Sequence, residues 1–198
     1  MSESLVQVTE GVGKKLHTNQ RTIGGNAVED EYMLPGEFAL ASYSVSAGTI
    51  SLATANSHLL EIMAGAANAV RIRRIVATPS AATAVTTARI DILRVTTAGT
   101  GGTAVTPRPY DTADAALATA MVLPTAGGVE GVTLRSESCL IGSATLPNSR
   151  WWEWSQHPGM KPIIIPAGAT NGIVLKNMVA VAGCTVSVTV EFVETAFV

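Results

Sequence analysis

At 198 residues the chain has the length of one domain, or of one domain with an arm, and can bury a core without disulfides or metals. Hydrophobic residues make up 47% and aromatics 5%, so the core is expected to be aliphatic, while a charged fraction of 14% falls below the roughly 25% of a typical globular chain. A net charge of −2 gives no global reason for nucleic-acid or membrane binding, and no apolar run approaches the roughly 18 residues of a membrane span.

Residues 1–36 read as an extended N-terminal arm. Their hydrophobic periodicity is weak, and Gly11, Gly13, Gly24, Gly25 and Gly36 alternate with polar residues such as Lys14, Lys15, His17 and Arg21. Such a segment is expected to order against something else. Residues 1–10 lack a basic region followed by an apolar one, so they do not read as a secretory signal. The turn Met33-Leu34-Pro35-Gly36 then leads into the body, residues 37–198.

The body reads as strand after strand. Phe38 to Val45 alternates, Gly48 breaks the pattern, and Thr49 to Ala55 follows. His58 to Ala64 suits helix or strand; strand is preferred because a turn at Gly65 to Asn68 and a β-branched run, Val70 to Ala77, come next. The alternation in that run slips at Arg73-Arg74, which predicts a β-bulge, and Ala88 to Thr97 slips in the same way at Ile92-Leu93. Thr96 to Thr106 reads as a flexible loop with strand character at its end. Asp111 to Leu123 has the best helical pattern and is read as helix or ordered loop. Cys139 to Leu146, Trp151 to Gln156, Ile163 to Pro166, Gly172 to Asn177 and Cys184 to Glu194 supply further strands. In the last, Cys184, Val186, Val188, Val190 and Phe192 alternate with polar residues, the mark of a strand with one buried face. About eight to ten short strands with regularly recurring turns predict an all-β, jelly-roll-like two-sheet sandwich.

Chemistry is hard to find in the pattern. Gly13-Lys14-Lys15 lacks the earlier glycine and the following Ser or Thr of a phosphate loop, and no helix follows Gly99-Thr100-Gly101-Gly102. No cofactor is expected. His17, His58 and His157 lie far apart, so they read as surface or hydrogen-bonded histidines rather than zinc ligands. Cys139 has no neighbouring His, Cys184 reads as a small core residue, and two Cys make no disulfide framework. No nucleophile–His–acid set points to an enzyme, and no catalytic or metal residue is assigned.

Two features point to partners. A surface this poor in charge suits a protein covered by other subunits, although a Ser/Thr-coated monomer would share the composition. Arg71, Arg73, Arg74, Arg89, Arg94 and Arg108 face only Asp91 as a local acid, whereas Glu29-Asp30-Glu31 make the arm acidic. These charges pair one subunit's arm with the next subunit's sheet, or they lie on solvated strand faces. All three tryptophans, Trp151, Trp152 and Trp154, fall within four residues. On a strand Trp152 and Trp154 share a face and Trp151 takes the other, so interface, core and sugar-stacking readings stay open.

Several segments resemble small virion structural proteins of tailed bacteriophages, some of them head decoration or cement proteins. They are Gln20 to Gly24, Tyr32 to Glu37, Thr97 to Ala104, the Ile-Pro-Ala-Gly-Ala-Thr-Asn-Gly run from Ile165, and Val190 to Thr195. The resemblance implies a β-rich, often trimeric subunit on the capsid exterior, assembled in the host cytoplasm, that clamps neighbouring major capsid proteins. Its partner-binding residues would be Lys14, Lys15 and Arg21 of the arm with Trp151, Trp152 and Trp154 of the body. The alternative is a tail or fibre-tip protein that binds a host receptor or glycan.

Overall fold

The computed structural model describes residues 18–23, 26–31, 40–80, 82–143, 152–157 and 161–195. The chain divides into two compact units, Met1–Ala39 and Leu40–Val198.

The first unit contains an antiparallel hairpin of β1 (Thr18–Ile23) and β2 (Asn26–Glu31), in register from Thr18↔Glu31 to Ile23↔Asn26. Only Gly24 and Gly25 separate the strands in sequence, a pair suited to a two-residue connection. The segment expected to be an extended arm therefore carries strand pairing of its own.

The second unit is all β among its described residues. Its strands are β3 (Ser42–Ser51), β4 (Ser57–Met63), β5 (Ala69–Pro79), β6 (Thr86–Val95), β7 (Thr103–Val105), β8 (Arg108–Pro109), β9 (Thr119–Val122), β10 (Glu130–Ile141), β11 (Trp152–Ser155), β12 (Ile163–Ile165), β13 (Gly172–Asn177) and β14 (Thr185–Thr195). They form two antiparallel sheets in a sandwich-like arrangement, ordered β10-β6-β13-β4-β9-β7 and β11-β5-β14-β3-β8. β12 pairs with β5 beyond β11.

The core lies between the sheets and is mainly aliphatic. β14 contributes Val186, Val188, Val190 and Phe192, opposite Leu60 and Ile62 of β4, Ile90 and Ile92 of β6, and Ile173 and Leu175 of β13. The Tyr43 and Phe192 rings stack with centroids 5.5 Å apart. β14 lies between β3 and β5 and turns one face to the core, so its apolar residues alternate with polar ones. Arg94 crosses the sandwich, donating from Nη1 to the Ile164 carbonyl at 2.5 Å.

Register irregularities settle three expectations. The ladder of β14 with β5 passes from Glu191↔Arg74 to Phe192↔Ile72, so Arg73 is the extra residue of a bulge and both Ile72 and Ile75 reach the core, as predicted. Gly48 does not end a strand. β3 runs through it with a register shift opposite Val186 to Val188, and Thr49 adopts a φ of 59°. β6 carries no bulge against β13, whose register is continuous from Asn177↔Ile90 to Gly172↔Val95. Its apparent slip arises because Leu93 and Val95 join Met63 and Val174 in a small apolar cluster on the sheet's other face. Register shifts lie instead on the neighbouring β10, one between Glu130 and Thr133 and one at Leu134.

No helix forms over 111–123. Asp111 accepts the Ala113 N–H on Oδ1 and the Asp114 N–H on its carbonyl, both at 3.0 Å, making a turn. An ordered loop follows and then β9, so the loop alternative is what the chain adopts.

Cys139 and Cys184 are free, buried thiols, and burial pushes both above the ordinary thiol range. Native protein at neutral pH is expected to react with a disulfide reagent such as DTNB about a hundredfold more slowly than unfolded protein. Rapid reaction of either thiol before unfolding would contradict its burial.

Candidate functional site

A polar cluster grows from β4, whose sequence Ser57-His58-Leu59-Leu60-Glu61-Ile62-Met63 places two ionisable residues in an apolar strand. Residues three apart on a regular strand face opposite ways. Here the ladder with β13 passes from Leu175↔Leu60 to Lys176↔His58, leaving Leu59 as an extra residue. The bulge turns His58 onto the same face as Glu61, away from the main core. The Leu59 carbonyl accepts the Leu123 N–H at 3.2 Å.

Two connections cover this face, residues 96–102 after β6 and residues 123–129 before β10. They are tied to each other: Thr100 and Ala126 exchange backbone hydrogen bonds of 2.8 and 3.1 Å, and the Val129 N–H donates to Thr97 Oγ1 at 2.8 Å. Glu61, only 1% exposed, fastens both connections. Its Oε2 accepts the Gly99 N–H at 2.6 Å and its Oε1 accepts the Gly128 N–H at 2.9 Å. The same Oε1 lies 2.5 Å from His58 Nδ1, and His58 Nε2 lies 2.8 Å from Glu130 Oε1. Lys176 Nζ donates to both Glu130 oxygens at 2.7 and 2.8 Å.

The glycines make this approach possible. A Cβ on Gly99 would lie 2.8 Å from both Glu61 oxygens, and one on Gly127 would lie 2.6 Å from His58 Cε1. The Gly99-Thr100-Gly101-Gly102 run, with no helix after it, thus seats a carboxylate of its own chain.

The network continues across the sheet. Lys176 lies beside Asp91 in register, and Asp91 lies beside Ser136. Arg89 donates from Nε and Nη2 to the two Asp91 oxygens at 2.9 Å each, and Ser136 Oγ donates at 2.6 Å. With His58 charged, three cations (His58, Lys176, Arg89) balance three carboxylates (Glu61, Glu130, Asp91). The hydrogen bond to Glu61 raises the His58 pKa against the opposing effect of burial, and Glu130 raises it further. Burial pushes Glu61 up, but hydrogen bonds from His58, Gly128 and Gly99 outweigh it and the net shift is down. His58 and then Lys176 hold Glu130 down. Asp91 is also lowered: burial acts upward and is outweighed by Arg89 and Ser136.

Chemically this is a fastening. Both imidazole nitrogens are occupied by carboxylates, and among the described residues no Ser or Cys side chain bonds to them. Among the described residues, no three His, Cys, Asp or Glu side chains are arranged to hold a metal ion.

Clefts open elsewhere, along the sides of the sandwich. One of about 460 Å³ lies at the edges of β10 and β11 and is lined by Arg135, Glu137, Cys139, Leu140, Trp152 and Glu153, among others. Another of about 370 Å³ is lined by Ser44, Ser46, Ala104, Val105, Thr106 and Arg108. The β10 edge carries two register shifts, and Arg135 and Glu137, opposite the core residues Ile92 and Ile90, pair with each other. Bulges and inward-facing charges discourage open-ended strand addition. Val132 on the same strand is nevertheless 69% exposed.

Of the expected partner-binding residues, Trp152 and Trp154 lie together on β11. Trp152 pairs with Ala77 and Trp154 with Ile75, so both indoles face the core side. Trp152 is buried and Trp154 is half-buried against the core. The buried Nε1 of Trp152 has no hydrogen-bond partner among the described residues. Arg21 lies on β1 opposite Val28. Lys14, Lys15 and Trp151 lie outside the described residues. Sequence reasoning missed the network around His58, although His and Glu three apart inside an otherwise apolar strand were its available signal. The chain matches no family model, no curated protein and no solved structure.

Proposed function

We propose that the chain is a non-enzymatic head decoration (cement) protein of a tailed bacteriophage. In this reading it is a homotrimer on the capsid exterior that clamps neighbouring major capsid subunits. The observation that carries the reading is the division into a sandwich unit and an N-terminal unit with its own hairpin. Bridging subunits on a shell needs a rigid body and a reaching arm. The resemblance of Gln20 to Gly24, Thr97 to Ala104 and Val190 to Thr195 to virion structural proteins supports the same assignment. So does a surface with few charges that leaves Tyr110, Val129 and Val132 exposed. The polar groups of the His58 network bond to one another and to backbone, which is the use a scaffold makes of them.

Within this reading the body is a jelly roll. Its strand order supports that: β10-β6-β13-β4 in one sheet and β11-β5-β14-β3 in the other place strands distant in sequence side by side, as two wound Greek keys do. The acidic Glu29-Asp30-Glu31 end of β2 belongs to the arm, and Lys14, Lys15 and Arg21 would contact the major capsid protein.

Cryo-electron microscopy of purified virions tests the assignment. The expected result is copies at regular sites across the head lattice, with residues 1–36 lying over capsid subunits. In a companion assay, chain lacking residues 1–36 should bind undecorated heads at least about tenfold more weakly than full-length chain. A few copies confined to the tail tip would overturn the proposal in favour of receptor binding.

A further inference from the structure

His58 is held from both sides by groups that accept hydrogen bonds. Glu61 Oε1 faces Nδ1 at 2.5 Å and Glu130 Oε1 faces Nε2 at 2.8 Å. A neutral imidazole carries one N–H, so one of its nitrogens would set a lone pair against a carboxylate oxygen. The imidazolium carries two and satisfies both contacts. We propose that His58 is a proton-operated clasp: charged, it fastens the start of β10, through Glu130, to β4 and to the Glu61 that holds residues 96–102 and 123–129, and loss of its proton to solvent releases the Glu130 side.

The ionisable groups around the ring are few. Glu61 faces it from β4 and Glu130 from β10. Lys176 of β13 reaches it through Glu130, and Asp91 of β6, bound by Arg89, lies beside Lys176. β9 and the covering residues 96–102 and 123–129 contribute only uncharged side chains. Deprotonation therefore leaves this cluster with one uncompensated negative charge.

The two ends of the clasp are unequal. Glu61 keeps the Gly99 and Gly128 N–H groups whatever His58 does, and it is buried. Glu130 is 34% exposed and would retain Lys176 alone. Beside it, the β10–β6 ladder already shifts register between Glu130 and Thr133. The Glu130 end opens first, carrying the exposed Val129 and Val132 with it.

The sign follows from the shifts. The His58 pKa is raised, so its contribution is complete below about 6.5 and is lost as pH rises through the folded value. Glu61 and Glu130 are lowered, so their contributions hold above the ordinary carboxylate range and are lost as pH falls through their folded values. The clasp is strongest between these limits.

The test uses the full chain. Nitrogen-15 NMR should show both His58 ring nitrogens protonated at pH 6, with a titration midpoint above about 6.5, assigned by its loss in His58→Gln. Hydrogen exchange of residues 129–133, corrected for base catalysis, should lose protection across that midpoint, while Gly99 and Gly128, held by Glu61, keep theirs. The loss should be about tenfold for each unit by which the midpoint is raised. Glu130→Gln keeps the Glu61 contact, so it should fold, titrate at lower pH and show a smaller step. A midpoint at or below about 6.5, or protection that does not change across it, would overturn the clasp.

Discussion

Replacing Glu61 with alanine is expected to destabilise the body by about 3–5 kcal/mol, the range for removing one partner of a buried ion pair. The change removes the acceptor for two backbone N–H groups, of Gly99 and Gly128, and the inner partner of a buried imidazolium. Water cannot replace it readily, because Glu61 is buried beneath residues 96–102 and 123–129. Glutamine should recover only part of the loss: its one carbonyl oxygen can accept, but its NH2 would meet another donor. Urea denaturation at pH 6 measures the effect, and hydrogen exchange should place the first opening in the two covering segments. The Glu61→Ala and His58→Gln effects should also be strongly non-additive, since each removes the other's partner. A Glu61→Ala cost below about 1 kcal/mol would mean that the carboxylate is not the fastening described.

Why the sandwich was legible and the network was not follows from how each is written in the chain. β14 is central in its sheet and buried on one face, so it displays unbroken alternation from Cys184 to Phe192. The bulge in β5 could be read for the same reason: Ile72 and Ile75 both needed the core, and three residues cannot separate two core positions on a regular strand. β6 misled because both its faces are partly apolar, so Leu93 and Val95 imitated a slip while facing a second cluster. The hairpin of β1 and β2 was obscured because its strands carry few apolar residues, although Gly24-Gly25 stood between them. The His58 network was hidden more deeply. Its members come from β4, β6, β10 and β13, and even the local pair His58 and Glu61 shares a face only through the bulge at Leu59. Helical spacing left helix and ordered loop both open over 111–123, because the backbone's deciding partner lies far along the chain, at Glu194.

That partner makes the second large effect predictable. Glu194, near the end of β14, is buried and accepts the Leu117 N–H at 3.1 Å and the Ala118 N–H at 2.9 Å. Tyr43 OH donates to the Ala115 carbonyl at 3.0 Å. Together they satisfy backbone groups that a helix would have paired internally, and they hold the loop extended into β9. Gly65 allows the close fit, since a Cβ there would lie 2.6 Å from Leu117 Cβ. Glu194→Ala should therefore cost about 2–4 kcal/mol, because it removes the acceptor of the buried Ala118 N–H and of the part-buried Leu117 N–H. Tyr43→Phe keeps the ring stacked on Phe192 and loses one hydrogen bond, so it should cost only about 1 kcal/mol. Urea midpoints give both values. Hydrogen exchange should then show residues 115–122 opening first in Glu194→Ala, with β9 loosening from β4 before the β14 ladder does. If 115–118 kept its protection while global stability fell, Glu194 would be acting through the core beneath it and not through the loop.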